Sequence, residues 1–183
     1  MTTTIPYPPC DGKYRATHDS GTRQASQIRY VVLHSTESGP GSAESIARYF
    51  TTSGSGGSAH LVIDDDHCFR TLPDLVVPWG APPLNTSGYH IEHCGYARWT
   101  RAEWELHRRM LDRSAYKASI RCHRYHIPAR LLTDRELKAG RLKGFVTHAQ
   151  VSRVYKRTDH SDPGDGFPLK AYISAVAAYL ENA

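Results

Sequence analysis

His34, His148 and Asp162 are far apart in the chain, yet their types and settings suit one piece of chemistry. His34 closes a short apolar run, His148 stands in Val146-Thr147-His148-Ala149, and Asp162 in Ser161-Asp162-Pro163-Gly164. A catalytic zinc takes three protein ligands and keeps one position open for water, and imidazoles with a carboxylate supply neutral and anionic donors at about 2 Å. Two histidines and one aspartate meet that need. On spacing alone a plainer reading stands beside it, because histidines at strand ends commonly only cap a loop. The same donors also suit manganese, iron or cobalt. The chain has 11 histidines, several beside glycines or hydroxyls rather than in apolar stripes, which makes metal or proton chemistry worth testing.

Other residues carry paired readings. His60 lies in an apolar alternation and is either a core histidine bonded to backbone or a substrate contact. On a strand His90 and Glu92 share a face while His93 points away, so His90 could line a groove and His93 is structural. His123 and His126 are spaced for one helical turn, but no third ligand stands near them. Asp64 to Asp66 lack the twelve-residue calcium loop with its distal glutamate and read as a solvated turn.

These residues must be positioned by elements that the sequence also suggests. Residues 1–26 are rich in Thr, Pro and Gly and read as an extended arm, free to wrap the domain of residues 27–183. Ile28 to Leu33 reads as a buried strand ending at His34-Ser35-Thr36. Ser42 is a plausible N-cap for a helix carrying Ile46, Ala47, Tyr49 and Phe50, stopped by the Gly/Ser-rich stretch from Ser53 to Ser58. Ala59 to Ile63 and His67 to Leu72 read as a hairpin, and Tyr89 to Glu92 as a further strand. From Thr100, with Glu103 completing a capping box, one helix should run to about His123 with Trp104, Leu106, Met110 and Leu111 inward. Leu131 to Ala139 reads as a short helix or turn, Gly144 to Thr147 as a strand or loop, and Pro168 to Leu180 as an amphipathic helix. The expected fold class is α/β (α+β), a central mixed sheet flanked by helices.

The 183 residues suit one domain. Lys and Arg number 23 against 18 acidic residues, a net charge of +5 that favours acidic partners. A nucleic-acid binder is suggested only by this charge and by arginine-rich helix stretches, which more often form a solvated face, so no nucleic-acid partner is expected. No apolar run approaches the roughly 18 residues that span a bilayer, and the N-terminus lacks the pattern of a signal peptide. Cytoplasmic synthesis without membrane insertion is therefore expected. Cys10, Cys68, Cys94 and Cys122 form no Cys-x-x-Cys pair and are expected as free thiols. Outside a cell they allow three pairings, among which sequence does not choose.

Five segments in order change the weighting: Tyr30-Val31-Val32-Leu33-His34-Ser35-Thr36, Ser58-Ala59-His60-Leu61-Val62-Ile63, Gly88-Tyr89-His90-Ile91-Glu92, Thr147-His148, and Ser161-Asp162-Pro163-Gly164 with Phe167-Pro168. Over about residues 27 to 182 the chain resembles the zinc-dependent N-acetylmuramoyl-L-alanine amidase family, the amidase-2 or peptidoglycan-recognition-protein fold. It is most similar to amidase domains of phage endolysins that attack actinobacterial walls, notably in Leu131 to Leu137 and in Gly144 to His148.

The resemblance implies one Zn2+ held by His34, His148 and Asp162, with Glu92 as general base. At His160 related enzymes commonly carry a lysine that stabilises the oxyanion, and a histidine could donate the same bond when the nitrogen concerned bears a proton. Ala59 stands where another branch has a catalytic tyrosine, a loss that Glu92 covers. Trp79 either contacts sugar or packs, and joins His60 and His90 as a candidate substrate contact, while Asn85 resembles the family's turn residue. The implied activity is bacteriolytic hydrolysis of the bond between the lactyl group of N-acetylmuramic acid and L-alanine in peptidoglycan. Arg48, Arg70 and Arg98 are candidates to meet stem-peptide carboxylates. A monomer acting at the cell wall after release is expected, and the alternative is a non-catalytic recognition module of the same fold.

Overall fold

The computed structural model describes residues 7–182. Its main sheet has strand order β4-β3-β6-β2-β7, formed by β2 (Tyr30–Ser35), β3 (Leu61–Ile63), β4 (Cys68–Arg70), β6 (Gly88–His93) and β7 (Gly144–Thr147). β3, β6, β2 and β7 run parallel and only β4 is antiparallel, which makes the sheet mixed. Parallel strands need cover on both faces. One face of β2, through Val31 and Leu33, joins a core with Tyr89, Ile91 and Phe145 against α3 (Arg108–Tyr125) and α6 (Leu169–Glu181). The other face, through Tyr30 and Val32, packs with Val146, Leu137 and Val151 under α4 (Asp134–Ala139) and α5 (His148–Tyr155). The expected central mixed sheet with helical cover is what forms.

Several local expectations change. The helix predicted from Thr100 is two: α2 (Arg101–Glu105), opened by the expected Thr100–Glu103 capping box, and then α3. Between them His107 stacks on Trp99 and bonds Asp65, whose other oxygen accepts the Met110 amide near the start of α3. Trp104, Met110 and Leu111 stay buried, but the interruption shifts the helical phase and Leu106 turns outward, 80% exposed. Asp64 to Asp66 are likewise more than a solvated turn. Asp64 is buried and accepts the amides of Asp66 and His67 and that of Ala43, the first residue of α1 (Ala43–Tyr49). It does the capping expected of Ser42, whose hydroxyl instead donates to the Gly39 carbonyl.

The arm expected over residues 1–26 lies partly, at 1–6, outside the described residues; its remainder is tied to the sheet. β1 (Asp19–Thr22) pairs antiparallel with β5 (Val76–Pro78), a strand the sequence pattern did not suggest. Asp11 bridges to Phe69, which brings Cys10 against Cys68, and the two form a disulfide. The expectation of free thiols therefore holds only for Cys94 and Cys122, both buried.

Candidate metal centre and groove

In open sheets, ligand sites form beyond the carboxyl ends of parallel strands. Here β2 is the pivot. Its His34 pairs in register with Glu92 of β6, and its Leu33 with Thr147 of β7, so that His148 follows at the first turn of α5. Thr147 caps that helix by accepting the Gln150 amide, which fixes where His148 starts. Asp162 comes from a loop tied to the same helix by the Ala149 amide, which donates to the Asp162 carbonyl at 2.8 Å. Gly164 holds this loop close to the neighbouring segment at φ +84°, where a Cβ would lie 1.8 Å from the Ala97 carbonyl oxygen.

Three donors converge. His34 Nδ1 lies 3.1 Å from His148 Nδ1 and 3.2 Å from Asp162 Oδ2, and His148 Nδ1 is 3.1 Å from Asp162 Oδ1. All three residues are buried. Tetrahedral ligands at zinc distances stand about 3.3 Å apart, close to these separations, in which each imidazole faces a different oxygen of Asp162. The tautomer that leaves His34 Nδ1 free for a cation places the proton on Nε2, which lies 3.0 Å from His90 Nδ1 and donates to it. A hydrogen bond of that kind behind a ligating histidine orients the ring. The donor set fits a divalent ion.

Charge is confined here. Burial holds His34 below the ordinary histidine range despite the pull of Asp162. Burial would raise the Asp162 carboxyl, but the His148 and His34 rings set against it outweigh burial and hold the group far below the usual carboxylate range. Glu92 is pushed well above its ordinary value, first by burial and then by Asp162 and Glu37. Its Oε1 is 3.9 Å from His34 Nδ1, and its Oε2 has no partner among the described residues.

The centre forms the floor of an open groove of about 620 Å³. Glu92, His160 and Trp79 line it, with the Gly/Ser stretch from Ser55 to Ser58 forming part of the wall. The His160 ring stacks on His148 at 4.0 Å, and its Nδ1 is 3.3 Å from Asp162 Oδ1. Trp79 is 43% exposed, stacks on His18 of the arm and donates from Nε1 to Ser20. Asn85 fixes the turn beside it, accepting the Gly80 and Ala81 amides.

Two candidate contacts lie elsewhere. His60 and His90 are fully buried and do not reach the groove. His60 Nδ1 accepts the His90 amide, so its Nε2 carries the hydrogen and donates to the Val76 carbonyl; burial and the nearby Arg23 keep the ring neutral. His60 is thus the core histidine of its paired reading, and His90 supports His34 from behind. His93, facing away, bonds the His34 carbonyl and Ser114. The arginines are also displaced: Arg48 packs with Tyr14 and Glu44, Arg98 lies over Tyr96, and neither they nor Arg70 line the groove. Glu37 and Tyr49 also line the groove, and neither stands out in the sequence: Glu37 lies in the turn after β2, and Tyr49 reads only as one residue of the helix α1.

The family described as N-acetylmuramoyl-L-alanine amidase matches residues 24–165. Among solved structures, the fold is similar to that of the Staphylococcus aureus hydrolase AmiA in complex with its ligand, with TM-score 0.74 and 18% identity, covering 96% of this chain and 85% of that one. The N-acetylmuramoyl-L-alanine amidase LysC from Clostridium intestinale gives TM-score 0.62 at 16% identity, covering 93% and 99%. A mutant endolysin from Bacillus subtilis gives 0.60 at 14%, again covering 93% and 99%. At such identities the likeness is one of fold. No curated protein matches the chain significantly.

Proposed function

The chain belongs to the N-acetylmuramoyl-L-alanine amidase family, and on that premise we propose that it cleaves the muramoyl–L-alanine amide of peptidoglycan in a zinc-dependent reaction as a single-ion enzyme of the phage endolysin kind. The observation that carries the zinc reading is the buried convergence of His34, His148 and Asp162. A zinc ion held by these three would supply Lewis acidity, lowering the pKa of water toward about 7 and polarising the scissile carbonyl.

The chain's own groups do the rest. Glu92 borders the centre with one carboxylate oxygen unpartnered, and burial makes it a strong base once ionised. It takes the proton of the attacking water and returns it to the leaving L-alanine nitrogen. His160 lines the same groove, beside His148 and Asp162. A His160 ring nitrogen can donate to a developing oxyanion only when that nitrogen bears a proton. Trp79 offers an exposed aromatic face at the groove for the sugar. The arm and residues 27–183 act as one monomeric unit at the cell wall, and no helix among the described residues is long and apolar enough to cross a membrane.

Digestion of purified peptidoglycan followed by mass analysis tests this reading. Free stem peptides beginning at L-alanine are expected, and Glu92→Gln should lower their release by about 10²–10⁴-fold while leaving metal content unchanged. Binding without release would contradict the reading and favour a non-catalytic recognition module.

A further inference from the structure

The groove of this basic protein contains no basic anchor. The chain has 23 Lys and Arg residues, yet the groove is lined by Glu37, Glu92 and Asp162 and by no lysine or arginine among the described residues. A ligand carboxylate brought into it would lose water without gaining a fixed cation on the walls. Asp162 and Glu92 lie at the floor beside the metal centre, whereas Glu37 is exposed on the wall. Its backbone is held at φ +53°, a left-handed conformation costly for a residue with a Cβ. Both bonds that hold its side chain, from the Ser35 hydroxyl and the Ala97 amide at 2.7 Å each, go to the same oxygen, Oε1. Oε2 has no donor among the described residues and remains available to the groove.

We propose that Glu37 is a specificity-determining residue, whose Oε2 selects stem peptides presenting an N–H donor beyond L-alanine over peptides presenting a free carboxylate there. The inference rests on the amidase reading and names its substrate class. Two sources supply such a donor: the primary amide of an amidated second residue, or the amine of a basic third residue.

Four zinc-loaded assays separate them, using N-acetylmuramoyl-L-alanyl-D-isoglutaminyl-L-lysine, the D-glutamyl counterpart, and each of these with L-norleucine, which has no side-chain N–H, in place of lysine. The favoured peptide of the discriminating pair should be cleaved about tenfold better in kcat/KM, the difference lying in KM. Glu37→Gln keeps an oxygen for Ser35 and Ala97 and should bring that ratio close to one, and Glu37→Lys should invert it. A change across the isoglutaminyl and glutamyl pair assigns the amide, and a change across the lysine pair assigns the amine. Equal cleavage of all four overturns the inference and leaves the amidase reading intact. Cleavage of none overturns the amidase reading, and calorimetric dissociation constants for the same peptides then decide the inference by the same ratio.

Discussion

His93 shows how one face of a strand can serve the site while the other serves the fold. It neighbours Glu92 yet points into the core, bonding the His34 carbonyl and the Ser114 hydroxyl, and Ser114 in turn bonds Tyr172. Burial lowers its pKa from 6.5 to about 4, so the folded protein holds it neutral. The unfolded chain takes up the proton first as pH falls, so the stabilisation is complete above about 6.5 and is lost progressively down to about 4. Between pH 7.5 and 5 this residue alone should cost about 2 kcal/mol of folding free energy, and buried His60 acts in the same direction. Urea unfolding at the two pH values measures it, and a midpoint that does not fall at pH 5 would refute the account. At this scale the sequence was informative where a residue closes a patterned segment, as His34, Glu92 and His148 do, whereas Asp162 stands in a loop. His60 reads two ways in the sequence, because its bonding partners Val76 and His90 and the Arg23 beside it come from distant segments.

The elements converge on the site through loops as much as through strands. Gly164 is the sharpest case, since a methyl group there would meet the Ala97 carbonyl oxygen at 1.8 Å and its φ is positive. Gly164→Ala should shift the loop carrying Asp162, lower stability by about 1–3 kcal/mol and weaken metal retention. Metal content after dialysis, with thermal unfolding alongside, checks this; unchanged metal content would show that the loop does not position Asp162. The capping box at Thr100 was legible because its signal is local. The break after α2 was not, because Asp65, which accepts the Met110 amide, lies 45 residues away. β1 and β5 were equally hidden, since each is short and gains its partner only when the arm folds back over the sheet.

At the scale of the whole molecule, the fold class could be read in advance, because the patterned segments that end at His34 and Glu92 are parallel strands of one sheet. The make-up of the groove could not. The net charge of +5 suggested arginines for an anionic substrate, whereas the fold directs those arginines elsewhere and leaves carboxylates, hydroxyls and aromatic rings around His34, His148 and Asp162. The disulfide likewise required the arm to lie against β4. The central claim is that His34, His148 and Asp162 hold the ion on which amide hydrolysis depends. Its most direct test is to strip the protein with a chelator, titrate zinc back, and follow both bound metal and the release of L-alanyl peptides, with Asp162→Ala in parallel. The account predicts one ion per chain, activity recovered in proportion to it, and a folded Asp162→Ala protein that binds no zinc and releases no peptide. Full activity in the stripped protein, or in Asp162→Ala, would contradict it.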